Sequence, residues 1–144
     1  MKVEGILRSK GAKVVTVKPD VSLGSLVEKL LLEHIGAVVV TEDGRSVLGI
    51  ISERDVVRGL AEHGPRILEM RVSDLMTQTV FTCERDDTVK HLMSQMTRRR
   101  IRHLPVLADG ALCGIVSIGD VVKNRLDELE METNVLRDAY IARS

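Results

Sequence analysis

The sequence predicts an α+β fold: two copies of one β-α-β-β-α unit, followed by an extended C-terminal helix. Three observations predict it. The chain repeats itself in register, apolar residues recur at helical spacing between short β-rich runs, and both copies place an Asp-Gly turn before a Ser-x-x-Asp helix start. The repeat is plain in "LGIISERDVVRGL" (48–60) and "CGIVSIGDVVKNR" (113–125), where Gly49, Ile50, Ser52, Asp55, Val56 and Val57 align with Gly114, Ile115, Ser117, Asp120, Val121 and Val122. Upstream, "HIGAVVVTEDG" (34–44) falls on "RIRHLPVLADG" (100–110), and "SLGSLVEKLL" (22–31) on "TVKHLMSQMT" (88–97). The offset changes from 66 to 65 just after Asp-Gly, where a loop tolerates an extra residue.

Each unit opens on a short extended piece, "KVVTV" (13–17) or "TVFTC" (79–83). A helix follows, with its apolar face on Leu23, Leu26, Val27, Leu30 and Leu31, or on Val89, Leu92, Met93 and Met96. The strands "AVVV" (37–40) and "HLPVL" (103–107) come next, and Asp43-Gly44 and Asp109-Gly110 predict hairpin turns. A second strand runs to Ser52 or Ser117, where the last helix of the unit starts. Gly64-Pro65 ends that helix in the first copy, and "RVSDLM" reads as one helical turn leading into the second. In the second copy the helix continues to about Ala142, acid-rich and suited to reaching a partner.

Composition narrows the function. The charge is balanced, 21 basic residues against 21 acidic, which speaks against a general nucleic-acid or anionic-membrane binder. Phe81 and Tyr140 are the only aromatics, too few for a base-stacking platform. No apolar run approaches the roughly 18 residues of a membrane span, and "MKVEGILRSKG" lacks the apolar segment of a signal peptide. Cys83 and Cys113 form no C-x-x-C pair and read as small buried hydrophobes in a reducing cytoplasm.

Ser52–Asp55 and Ser117–Asp120 admit two readings. Serine with an acid three residues on is a capping box, in which the hydroxyl accepts from an N–H of the first helical turn and the acid bonds back to the cap. The same helix start attracts anions, and its carboxylate can accept both hydroxyls of a ribose. Arg54 between Ser52 and Asp55, with Arg58 one turn on, could neutralise a phosphate, and an Ile on the strand could pack on a flat base.

With its two copies of G-h-h-S-x-x-D, Gly49 to Asp55 and Gly114 to Asp120, the chain resembles a tandem pair of CBS (cystathionine β-synthase type) domains, a Bateman module. "IGAVVVTEDG", "IRHLPVLADG" and "VSDLMTQTVFTCERDDTV" carry further resemblance, which covers roughly residues 8–126. It implies repeats at 8–62 and 77–126, a linker at 63–76, a helical tail at 127–144, and a pseudo-twofold axis that leaves two clefts. It also implies adenine-nucleotide ligands: AMP first, with ADP, ATP, NAD(H) or S-adenosylmethionine as alternatives. One implied cleft joins Ile50, Ser52, Arg54 and Asp55 to Thr77, Thr79, Phe81, Ile101, Arg102 and His103. The other joins Ile115, Ser117 and Asp120 to Lys13, Val15, Ile35, Gly36 and Ala37. The second motif has Ile118-Gly119 where the first has Glu53-Arg54, so it lacks the arginine and would lean on Lys13 or Lys123, or bind weakly. "LRSKGAKVV" also matches "DLMTQTVFT" poorly.

The basic cluster "TRRRIRH" (97–103) reads as a solvated helix end, a nucleic-acid patch, or a phosphate-facing group led by Arg102 with Arg99 or Arg100 helping. His103 reads equally as a strand residue or a ligand contact. His34, His63 and His91 lack metal-ligand spacing, and Met93 and Met96 belong to a core stripe. No nucleophile–base pair and no catalytic cofactor is expected. The function expected is a cytoplasmic adenine-nucleotide sensor, homodimeric through its apolar helices as the resemblance implies, that signals to an unidentified regulated protein. The alternative is a dimerisation or interaction scaffold with empty clefts.

Overall fold

The structure is a computed structural model that describes residues 1–11 and 13–143; Ala12 and Ser144, which the expected 8–62 and 127–144 segments include, lie outside the described residues. The first unit holds strands β1 (Thr16–Val17), β2 (Ala37–Val40) and β3 (Gly49–Ser52), with helix α2 (Leu23–Glu33) after β1 and α3 (Glu53–His63) after β3. The second holds β4 (Cys83–Glu84), α5 (Val89–Arg99), β5 (His103–Ala108), β6 (Ala111–Ser117) and α6 (Ile118–Arg143). Helices α1 (Val3–Lys10) and α4 (Val72–Leu75) precede the units, and a 3-10 segment at Gly64–Glu69 follows α3.

Each sheet has three strands, parallel then antiparallel, in orders β1-β2-β3 and β4-β5-β6. Val17 pairs with Val40 as Cys83 pairs with Val106, and Ala37 with Ser52 as His103 with Ser117, so the two units share one register. The opening strands are two residues long rather than the five expected from "KVVTV" and "TVFTC". The cause is visible at Thr77, whose N–H donates to the Ile50 carbonyl (2.8 Å) and whose carbonyl accepts from the Ile50 N–H (3.0 Å). Thr77 bridges to β3 and Cys83 starts β4; the residues between them cross from the first sheet to the second and pair with neither.

Ser22 and Thr88 cap α2 and α5, accepting from the N–H groups of Ser25 (3.2 Å) and His91 (3.1 Å). Leu23, Leu26 and Leu30, and Val89, Leu92 and Met96, are buried. Val27, Leu31 and Met93 belong to the same predicted faces but are exposed; they lie on the flank of each helix turned away from its sheet. Asp109 and Gly110 both have positive φ (52° and 80°) in a two-residue hairpin flanked by the Ala108–Ala111 pair. The Asp43-Gly44 connection is not such a hairpin. It runs from Thr41 to Leu48, and Asp43 Oδ1 accepts from the N–H groups of Arg45 and Ser46 (both 2.8 Å), which hold its carboxyl down at about 2.

Helix α1 was not anticipated. It is the counterpart of α4, and the two are exchanged between units. Lys2 bridges Thr88, the cap of α5, and Arg71 bridges Ser22, the cap of α2. Val3 N–H donates to Asp87 O as Val72 N–H donates to Val21 O. Val3, Ile6 and Leu7 are therefore buried in the second core with Leu92, Leu104, Val106 and Val116. Val72 is buried in the first core with Leu23, Leu26, Val38 and Ile51. This reciprocity is what a pseudo-twofold relation between the units requires. The signal was present as the pattern "VEGIL" (3–7) against "VSDLM" (72–76), at an offset other than that of the main repeat.

Cys83 is buried, and burial pushes its thiol up to about 12, as a packing residue requires. Beyond the second unit α6 continues with Leu129, Leu136 and Tyr140 exposed.

Candidate functional site

All ten residues expected in the first cleft line one open cavity of about 400 Å³ between the units, within the range of small-molecule sites. Strand β3 brings Ile50 to its floor. Ser52 ends that strand in extended conformation and starts α3, whose N-terminus points into the cavity. The crossing segment brings Thr77, Thr79 and Phe81, and the approach to β5 brings Ile101, Arg102 and His103. Gly36, Glu53, Arg58, Val80 and Arg100 also line it. The sequence places Gly36 in the other cleft, offers Arg58 and Arg100 only as phosphate helpers beside Arg54 and Arg102, and gives Glu53 and Val80 no place in the lining. Glu53 was legible as the first residue of α3, where its N–H donates to Gly36 O (3.0 Å).

The Ser52–Asp55 capping box is formed. Asp55 Oδ2 accepts from the Ser52 N–H (2.9 Å) and hydroxyl (3.1 Å), and Ser52 Oγ accepts from the Asp55 N–H at 3.4 Å. The box uses one carboxylate oxygen. Oδ1 has a single long contact, from the Thr77 hydroxyl at 3.4 Å. Cap and grip are therefore compatible: one oxygen holds the helix start and the other faces the cavity.

Around it stand Arg54, Arg58, Arg100 and Arg102 against the carboxylates of Glu53 and Asp55. This is a net positive wall beside the positive end of α3. Arg100 is placed by the left-handed turn that ends α5 (φ 55°). Arg99 is not among the lining residues; its guanidinium lies 3.9 Å from the centre of the ring of Phe81, which is. Burial, joined by the Lys10 charge, holds the His103 imidazole below its ordinary 6.5, against the opposing pull of Asp120 and Glu53. The neutral ring is thus the folded form. Its contribution to stability is complete above about pH 6.5 and is lost as pH falls through the folded value. Urea unfolding between pH 5 and 8 should show this slope in the parent protein and a shallower one in His103→Asn.

The residues expected in the second cleft are dispersed. Ala37 is buried and paired with Ser52, and Val15 packs on the first core. Lys13 Nζ lies 3.3 Å from Glu33 Oε2. Gly36 and Ile35 border an apolar groove lined also by Val27, Leu31, Val56 and Val57. Ser117 and Asp120 do form a capping box, Asp120 Oδ2 accepting from the Ser117 N–H (2.9 Å) and Ser117 Oγ from the Asp120 N–H (3.1 Å). The ammonium of Lys10, which sequence reasoning missed, reaches the same Oδ2 at 2.7 Å. Burial alone would raise the Asp120 carboxyl; the Lys10 and Ser117 hydrogen bonds and the Lys10 charge outweigh it and hold the group below its usual range.

Residues 3–62 and 72–127 each match the CBS domain family. The chain belongs to the CBS domain family. The matched stretches take in α1 and α4, the two exchanged helices. A mitochondrial CBS domain-containing protein of Arabidopsis thaliana, CBSX3, is 33% identical over 147 residues, covering 96% of this chain and 71% of that protein. The crystal structure of the CBS-domain protein ATU1752 from Agrobacterium tumefaciens is 48% identical, with a TM-score of 0.84, and covers 87% of this chain and 99% of its own. The structure of CBSX2 in complex with AMP is 25% identical with a TM-score of 0.73, covering 88% and 96%. The pair of CBS units read from the repeat is therefore the fold of this chain. None of the helices among the described residues is long and apolar enough to cross a membrane.

Proposed function

We propose that this chain is a cytoplasmic regulatory module that binds an adenine nucleotide in the first cleft and reports occupancy to a partner protein. The observation that carries the reading is the convergence, in one cavity, of Asp55 Oδ1, which the capping box leaves unused, the α3 N-terminus and four arginines beside apolar Ile50, Val80 and Ile101. A ribose diol suits Asp55 Oδ1, a flat base suits Ile50 and Ile101, and phosphate suits Arg54, Arg100 and Arg102. The AMP bound by CBSX2 supports the ligand class. Four arginines favour phosphate-bearing ligands, AMP, ADP, ATP or NAD(H), over S-adenosylmethionine, which would leave them unpaired. The cavity is built from both units, so a ligand that fills it biases how the units pack, and that bias is the signal. No step of this reading is catalytic.

Exposed Val27, Leu31, Leu32, Val57 and Leu60 form an apolar helical face suited to a second copy of the chain. The same face supports the second reading, a dimerisation scaffold with no ligand. Thermal unfolding with a panel of AMP, ADP, ATP, NAD(H) and S-adenosylmethionine separates the two. A phosphate-bearing ligand at 100 times its Kd should stabilise the fold by about 2.7 kcal/mol, or roughly 5–10 °C in Tm. No shift with any of them at millimolar concentration would leave the scaffold.

A further inference from the structure

The two units differ where their Ser-x-x-Asp boxes meet the segment arriving from outside. In the first, the backbone N–H of Thr77 donates to the Ile50 carbonyl (2.8 Å), and its hydroxyl reaches Asp55 Oδ1. In the second, the equivalent acceptors are the Ile115 carbonyl and the Asp120 carboxylate. One group serves both: Lys10 Nζ, at 2.8 Å from Ile115 O and 2.7 Å from Asp120 Oδ2.

Lys10 comes from an insertion. Leu7 stands where a Cβ on Gly114 would point, as Met76 does for Gly49, so Leu7 corresponds to Met76. In the main repeat, at an offset of 66, Thr77 corresponds to Gly11. Arg8, Ser9 and Lys10 therefore have no counterpart; they are one extra turn of α1. That turn is held from below, because Val3, Ile6 and Leu7 are buried in the second core. Three of the four arginines of the first cleft have no cationic counterpart: Arg54, Arg100 and Arg102 are matched by Gly119, His34 and Gly36, and only Arg58 by a cation, Lys123.

We infer that Lys10 is a tethered occupant of the second cleft, its ammonium seated on the capping oxygen Oδ2 of Asp120 and on the Ile115 carbonyl, where it neutralises the carboxylate that a ligand's hydroxyls would use, so that each chain takes a single nucleotide. This rests on the nucleotide reading of the first cleft. A ligand entering the second must displace a charge-assisted hydrogen bond of good length and gains no arginine in return. The repeat is thus split in function: one box faces the ligand, and the other is locked by the chain's own side chain, which fixes the stoichiometry.

Calorimetric titration of the full chain with AMP tests it. The parent protein should show one binding event per chain. Lys10→Met keeps the apolar stem and removes the charge; it should show a second event, at least tenfold tighter than any second binding by the parent. Lys10→Gln, a second neutral variant, should do the same, and Lys10→Arg should keep one event. One event in every protein overturns the inference alone, since something other than Lys10 then closes the cleft. Two events in the parent, with one lost in Lys10→Met, overturn it by making Lys10 a ligand-binding residue. No binding in any of them overturns the nucleotide reading and this inference with it.

Discussion

Asp55→Asn is expected to lower AMP affinity by about 1.5–3 kcal/mol, roughly ten- to a hundredfold, because a neutral amide replaces the charged acceptor offered to the ribose. Its stability cost should be small, about 0.3–1 kcal/mol, since the change removes a favourable charge near the positive end of α3. Asp55 Oδ2 serves the cap and Oδ1 faces the cavity, so the two effects separate: affinity falls far more than stability. Asp120→Asn should lose much less affinity, because its carboxylate faces Lys10 rather than the arginines. Calorimetry and urea unfolding on both variants give the comparison. Unchanged affinity in Asp55→Asn would reduce the Ser52–Asp55 pair to a helix cap.

Gly49→Ala should be the most disruptive one-carbon change near the site. A Cβ there would lie 2.7 Å from Met76 Sδ and 2.9 Å from the Thr77 carbonyl. The thioether can move, but the carbonyl is the acceptor for the Ile50 N–H. Accommodating the methyl group pushes the crossing segment off β3, and Thr77 and Thr79 with it. The expected cost is about 1–3 kcal/mol of stability, together with weaker AMP binding. Gly114→Ala meets only the Leu7 side chain, at 2.6 Å, and should cost less. Equal losses in the two variants would mean that the Thr77 backbone is not what holds Gly49 to its size.

Much of this was legible because the chain states it twice. The helix faces, the caps at Ser52 and Ser117, the single turn at Val72–Leu75 and the long final helix follow from periodicity and capping chemistry, which act over a few residues. Residues from three separate segments were expected in the first cleft and do meet there. What escaped was decided by packing between the units. Short β1 and β4 were misjudged as longer strands because "KVVTV" and "TVFTC" have β propensity, while the path between the sheets leaves them no partner. Helix α1 escaped because its apolar residues, Val3, Ile6 and Leu7, complete the core of the other unit. The second cleft is expected from the sequence to lack the arginine and to lean on Lys13 or Lys123. Lys13 instead turns to Glu33, and an inserted helical turn delivers Lys10 to Asp120, which no local pattern announces. The Asp43-Gly44 loop shows the same limit: the dipeptide signals a turn but not the length of loop around it.

The most direct measurement is a crystal structure of the chain grown with AMP. The account predicts nucleotide density in the first cleft, with both ribose hydroxyls on Asp55 Oδ1, the base against Ile50 and Ile101, the phosphate on the arginines, and the Lys10–Asp120 pair intact. AMP seated on Asp120 with Lys10 displaced, or a first cleft empty at saturating AMP, would contradict it.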